Sequence, residues 1–137
     1  MIFTDAELEY LRSQRLGRLA MVGPDGGPQN NPVGFSVDED RGTVEIGGWN
    51  LGASRKFHNI ESNAQVAFVV DDLASVDPWK VRGVQIRGAA EALTDHWDGG
   101  GGMSGELIRI HPRRVQSWGL GADGNQGSRR TIAQRVR

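Results

Sequence analysis

Apolar residues in this chain run only a few positions before turn chemistry interrupts them, and that rhythm limits the fold more than any other feature. Residues 16–22 (LGRLAMV) read as a strand and stop at Pro24-Asp25-Gly26-Gly27, a strong turn signal. A hairpin is predicted, with residues 28–37 (PQNNPVGFSV) as its return, ending at Asp38-Glu39-Asp40-Arg41-Gly42. Pro28 and Pro32 have no N–H to give a ladder, so one side of this return is expected to be an edge, a bulge or a site wall. Residues 43–47, 65–70 and 84–93 continue the strand pattern, and 108–110 with 115–118 add one or two last strands.

Two segments change to helical spacing. Thr4 followed by Glu7 is a capping-box pattern ahead of Leu8 and Leu11, which predicts a helix over 5–14. Ser54 is placed to cap a second helix carrying Phe57, Ile60 and Ala64. Six or more short strands with two small helices predict a mainly β fold built as a small barrel. A chain of 137 residues suits one domain, which buries roughly two thirds of its unfolded surface. The division expected is a barrel domain over 1–119 and a Gly/Arg-rich tail over 120–137; the four glycines at 99–102 read as a connection without function.

The sequence holds no cysteine, which removes disulfides, thiolate metal sites and cysteine nucleophiles. No apolar run approaches the about 18 residues of a membrane helix, and the N-terminus carries acids where a leader would be basic. A soluble, cytoplasmic protein without membrane contact is therefore expected. Net charge is −1 but uneven: residues 1–108 hold 9 basic and 16 acidic groups, whereas 109–137 hold 7 arginines against Asp123. Such a tail can meet nucleic acid, the protein's own acidic body or an anionic cofactor. With no aromatic residue after Trp118 to stack on bases, nucleic acid is not the expected partner.

Motifs for metal hydrolysis, nucleotide loops and serine nucleophiles are missing, and His58, His96 and His111 fall in separate elements. Ser54-Arg55-Lys56 is the strongest local signal. It opens a helix after a glycine-rich loop, where free N–H groups and the helix dipole favour an anion, and two cations there suit a phosphate. Arg87 alternates with Ile86 in a strand and either faces solvent or gives a second phosphate contact. Gly47-Gly48 would let backbone approach a flat ring. Trp49, Trp79, Trp97 and Trp118 are many tryptophans for this length; Trp79, in a loop, is the one assigned to a substrate pocket.

The stretches LGRLA at 16–20, GPDG at 23–26, NPVGF at 31–35, SRKF at 54–57, VVDDL at 69–73 and IHPRR at 110–114 together resemble the pyridoxamine 5'-phosphate oxidase-like split-barrel superfamily. Residues 71–79 and 115–119 look most like its branch that uses the deazaflavin coenzyme F420, which includes the dehydrotetracycline reductases. The resemblance implies a six-stranded split barrel, a homodimer with two cofactor sites at the subunit interface, and hydride transfer by the bound ring. It assigns the cofactor phosphate to Ser54, Arg55 and Lys56, and the ring and its side chain to Asn30, Asn31, Pro32 and Val33 on one side and Gly47, Gly48 and Trp49 on the other. Asn30 stands where the family pattern has a small apolar residue. Trp118 matches a tryptophan that reaches the partner's site in flavin-using relatives, and Arg129 and Arg130 are read as contacts to phosphate or an anionic tail. The same barrel serves FMN, so an FMN enzyme and a flavin- or deazaflavin-binding protein without turnover stand as alternatives.

Overall fold

The computed structural model describes residues 2–48, 51–94, 105–121 and 126–133. Helix α1 (Asp5–Ser13) starts with the predicted capping box: the Thr4 hydroxyl accepts from the Glu7 N–H at 3.1 Å, and the Glu7 carboxylate accepts from the Thr4 N–H at 2.9 Å. Strands β1 (Leu16–Val22) and β2 (Pro28–Gly34) pair antiparallel from Leu16↔Gly34 to Val22↔Pro28. Their turn is closed by Gly23 N–H donating to the Gly27 carbonyl at 2.8 Å, with Gly26 at φ 81, a region that favours glycine.

The return segment does not run unbroken to residue 37. It bends at Phe35, whose ring meets Phe68 edge-on at 5.2 Å, and resumes as β3 (Ser36–Asp38). Next come β4 (Thr43–Ile46), a 3-10 turn at Leu51–Ala53, α2 (Arg55–Ser62), β5 (Gln65–Ser75), β6 (Lys80–Leu93), β7 (Leu107–Leu120) and β8 (Gln126–Thr131).

All strands belong to one sheet in the order β2-β1-β5-β6-β7-β4-β3, with β8 paired to β7 off this path. The first and last strands of the path adjoin in sequence at Phe35, so the sheet curls round until its two ends are one piece of chain. Strand β7 is the fork: along one edge it takes β4 at Ile108–Ile110 and then β8 from Arg114 to Leu120. The described residues thus form eight strands rather than the six expected. The bend at Phe35 makes two strands of one, and residues 126–131, read as tail, add another.

Inside the curl, Leu19, Val44, Ile46, Phe68, Val70, Val84, Ile86, Ile108, Ile110 and Val115 have no solvent exposure. Each such side chain stabilises the fold by about 2 kcal/mol. Gly17 is required by this packing, because a Cβ there would lie 2.2 Å from the Phe68 ring. Phe57 and Ile60 of α2, and Leu8, Tyr10 and Leu11 of α1, add to the same core. No helix among the described residues is long and apolar enough to cross a membrane.

Candidate functional site

Strand alternation sorts side chains into a buried face and an outward one. Val84 and Ile86 of β6 are fully buried, which turns Gln85 and Arg87 outward. Val115 and Ser117 of β7 do the same for Arg114, Gln116 and Trp118. Register then gives rows across the sheet: Asn30 pairs with Ala20, Ala20 with Ala67, Ala67 with Arg87 and Arg87 with Arg114. In the adjacent row Pro32 pairs with Arg18, Arg18 with Val69, Val69 with Gln85 and Gln85 with Gln116. Asn30, Pro32, Arg87 and Trp118 therefore share one face, with the small Ala20 and Ala67 as a flat floor between them. Asn31 and Val33 point the other way. Val33 is in the core, so it presents backbone alone to this face.

β2 has a strand, β1, on one side only among the described residues. Its outer backbone edge is open along the segment where two prolines interrupt donation. Gly47 and Gly48 follow β4 and are half-buried, Gly48 lying against Leu51. Trp49, Asn50, His96 and Trp97 lie outside the described residues.

At the start of α2 the Ser54 hydroxyl accepts from the Phe57 N–H at 3.3 Å and donates to the Leu51 carbonyl at 2.6 Å. The cap holds the first turn rigid and leaves the N–H groups of Arg55 and Lys56 without a cap oxygen. Neither the exposed Arg55 nor the half-buried Lys56 has a carboxylate partner among the described residues. Asn59, buried on the same helix, donates from Nδ2 to Gln29 Oε1 of β2 at 2.8 Å. That bond ties the cationic helix start to the open edge strand. Sequence reading missed it, since a lone Asn between Phe57 and Ile60 looks like a surface position.

The Trp118 ring lies over Gly83 of β6, where a Cβ would come within 2.6 Å of it. Trp79 is 67% exposed in the turn between β5 and β6, beside exposed Val76 and the cross-strand pair Leu73 and Val81. The hairpin base is held by Asp72, which accepts two bonds from Arg82 at 2.7 and 3.0 Å and one from the Tyr10 hydroxyl at 2.9 Å. Arg82 holds the Asp72 carboxyl below its ordinary value of 3.8. Burial, and then the hydrogen bond to Asp72, push the Tyr10 hydroxyl well above its ordinary 10.

Arg130 is not available to a ligand. It pairs with the fully buried Glu7 through both terminal guanidinium nitrogens, Nη1 and Nη2, donates to the Ile2 carbonyl, and shares Glu7 with the Ser117 hydroxyl at 2.6 Å. Of the histidines, His58 pairs with Glu61 and His111 with Glu91, both at the surface. Among the described residues no three His, Asp or Glu side chains gather as a metal site.

The family model described as pyridoxamine 5'-phosphate oxidase matches residues 3–119. A 5a,11a-dehydrotetracycline/5a,11a-dehydrooxytetracycline reductase of Streptomyces rimosus is 51% identical over 128 residues, covering 93% of this chain and 90% of that protein. Among solved structures, a conserved hypothetical protein of Mycobacterium tuberculosis superposes with a TM-score of 0.65 at 24% identity, covering 85% of this chain and 84% of the other. A FAD-binding protein of Mesorhizobium loti gives 0.62 at 19% identity, covering 84% and 93%. At these identities the two structures speak for the fold alone.

Proposed function

This chain belongs to the pyridoxamine 5'-phosphate oxidase family, and from that premise we propose that it is an oxidoreductase dependent on coenzyme F420. It transfers hydride between the deazaflavin ring and a small conjugated organic substrate at the interface of a homodimer. The observation that carries the reading is the 51% identity, over nearly the whole chain, to a protein named as a reductase of 5a,11a-dehydro compounds. Delivery of hydride to a conjugated double bond is the corresponding direction here.

The residues present fit a phosphate-bearing planar cofactor. Ser54 fixes the first turn of α2, and Arg55 and Lys56 stand there without carboxylate partners among the described residues. Two cations at a helix start hold a phosphate by charge-assisted bonds. The open edge of β2 at Asn30, Asn31, Pro32 and Val33, and the backbone of Gly47, Gly48 and Trp49, would meet the polar rim of the ring. Arg87 and Trp118 would close the outward face beside Ala20 and Ala67.

When bound, the ring supplies the hydride chemistry. The chain's part is to bind, orient and exclude water, which is consistent with a site without a nucleophile. Asn59 holds α2 against β2 at 2.8 Å, so phosphate contact and ring contact keep a fixed separation. Trp79, with Val76 beside it, offers the apolar cover for a conjugated substrate.

Parallel titration with F420 and FMN, read by absorbance and calorimetry, tests this. Tight F420 binding with little for FMN is expected, and preference for FMN moves the protein to the flavin-using reading. Binding of neither overturns the enzyme assignment. Binding of F420 without substrate-dependent oxidation of its reduced form, across enone and quinone-like compounds, leaves a carrier protein.

A further inference from the structure

Strands β5 and β6 outrun their neighbours. Among the described residues, β1 pairs along β5 no further than Arg18↔Val69, and β7 along β6 no further than Gly83↔Trp118. Past those points the two strands continue as a ribbon through the pairs Asp72↔Arg82, Leu73↔Val81 and Ser75↔Lys80. A two-stranded ribbon by itself is marginally stable in water, so its angle to the sheet needs an outside hold.

Strand alternation gives the ribbon two unlike sides. Asp72 and Arg82 follow the buried Val70 and Val84 on the inner side, whereas Leu73 and Val81 continue the outward face of Val69 and Gln85. Five large apolar side chains stand exposed among the described residues, and four of them, Leu73, Val76, Trp79 and Val81, belong to this ribbon and its turn. The hold is on the inner side. Tyr10 of α1, itself buried, donates its hydroxyl to Asp72 at 2.9 Å and lies 3.4 Å from the Arg82 carbonyl. The Arg82 guanidinium stands 5.2 Å from the centre of the Tyr10 ring. Asp72 accepts both arms of the Arg82 fork, and Gln14, just past the end of α1, reaches it at 3.5 Å.

This latch sits at the root of the ribbon. From Asp72 to the turn at Val76 is about 13 Å of strand, so a tilt of about 10° at the root moves the turn by about 2 Å. A shift of that size takes side chains out of van der Waals contact. We propose that Tyr10, Asp72 and Arg82 are positioning residues for the substrate: they fix the angle of the ribbon, and with it how closely Leu73, Val81 and Trp79 cover a planar apolar substrate on the outward face. The inference rests on the reading of that face as the hydride-transfer site.

The test compares wild type, Tyr10→Phe and Asp72→Asn as full chains. Without ligand, amide hydrogen exchange over residues 73–81 should be at least fivefold faster in both variants and unchanged over 66–70 of the same strand. In the same ligand-free protein, menadione, a planar quinone, should quench the part of the emission that Trp79→Phe removes, with an affinity at least fivefold weaker in the variants. With reduced F420, the KM for menadione should rise at least fivefold while kcat stays within twofold, and the KM for the smaller cyclohex-2-enone should move less than twofold. Val44→Ala, a core truncation away from the ribbon, should lower the melting temperature and leave all three readouts as in wild type. Unchanged exchange over the ribbon in both variants overturns the latch. Faster exchange with unchanged menadione binding, or no quenching in wild type, overturns its role toward substrate. An equal loss in Val44→Ala overturns it as general softening. So does a loss confined to variants that sediment as a smaller species, which would assign the ribbon to a second copy. Failure of wild type to bind F420 strikes the function reading alone, since exchange and quenching are measured without cofactor.

Discussion

The Glu7 carboxylate is shut away from solvent and yet surrounded by donors: the Thr4 N–H, the Ser117 hydroxyl and both terminal nitrogens of the Arg130 guanidinium. Burial pushes its carboxyl up, and the bonds from Arg130, Ser117 and Thr4 outweigh that, leaving it below its ordinary 4.5. Arg130→Ala would strand the buried charge, so a loss of about 3 kcal/mol is expected in urea denaturation at neutral pH. A loss within 0.5 kcal/mol would show that the ion pair is not what holds β8. Because the folded value is lowered, this contribution is present above pH 4.5 and disappears as pH falls through the folded value. Glu7→Gln should flatten the acid limb of the melting-temperature curve. Tyr10 has the opposite sense: its contribution is present below its ordinary 10 and fades as pH rises from there. The capping half of Glu7's role was legible in Thr4 and Glu7 three positions apart. Its other half was not, since Arg130 lies 123 residues away.

Helix α2 and strand β2 are the elements on which the proposed cofactor site depends. Arg55→Ala with Lys56→Ala removes two cations that make no ion pair among the described residues, so stability should change by about 0.5 kcal/mol or less. Cofactor affinity should fall at least tenfold, and unchanged affinity in calorimetry would discard the phosphate assignment. Ser54→Ala differs in kind: the lost cap should cost about 1 kcal/mol as well as weaken binding. On β6, Gly83→Ala would press on the Trp118 ring and on the Val70 carbonyl 2.8 Å away. A cost of about 1–3 kcal/mol is expected, with a change in emission that is absent in a Trp118→Phe background. Helix boundaries and the Ser54 cap were readable because capping is local. The bend at Phe35 was not, since it follows from the Phe68 ring more than thirty positions away.

For the whole molecule, the uneven charge finds part of its explanation in the fold. Two of the seven arginines after residue 108 turn back to the acidic body, Arg109 onto Glu45 and Arg130 onto Glu7. Arg113, Arg114 and Arg129 remain on the outward face. The exposed Leu73, Val76, Trp79 and Val81 at one hairpin, and the outward row through Ala20 and Ala67, fit a surface covered by a second copy. Sedimentation should give a dimer, and a monomer at all concentrations would remove the proposed interface site.

What the sequence determined by itself was local: turns, caps, strand alternation and the position of Ser54, Arg55 and Lys56 at a helix start, each set by interactions within a few residues. From the family resemblance it also carried the barrel. The tertiary structure decided which strands became neighbours, and so that residues 126–131 are a strand, that Asn59 anchors β2, that Arg130 serves Glu7, and that Tyr10 meets Asp72 and Arg82 at the root of one hairpin. Those outcomes depend on cross-strand register and burial between distant segments, and no spacing along a single chain encodes which distant edge a strand will meet.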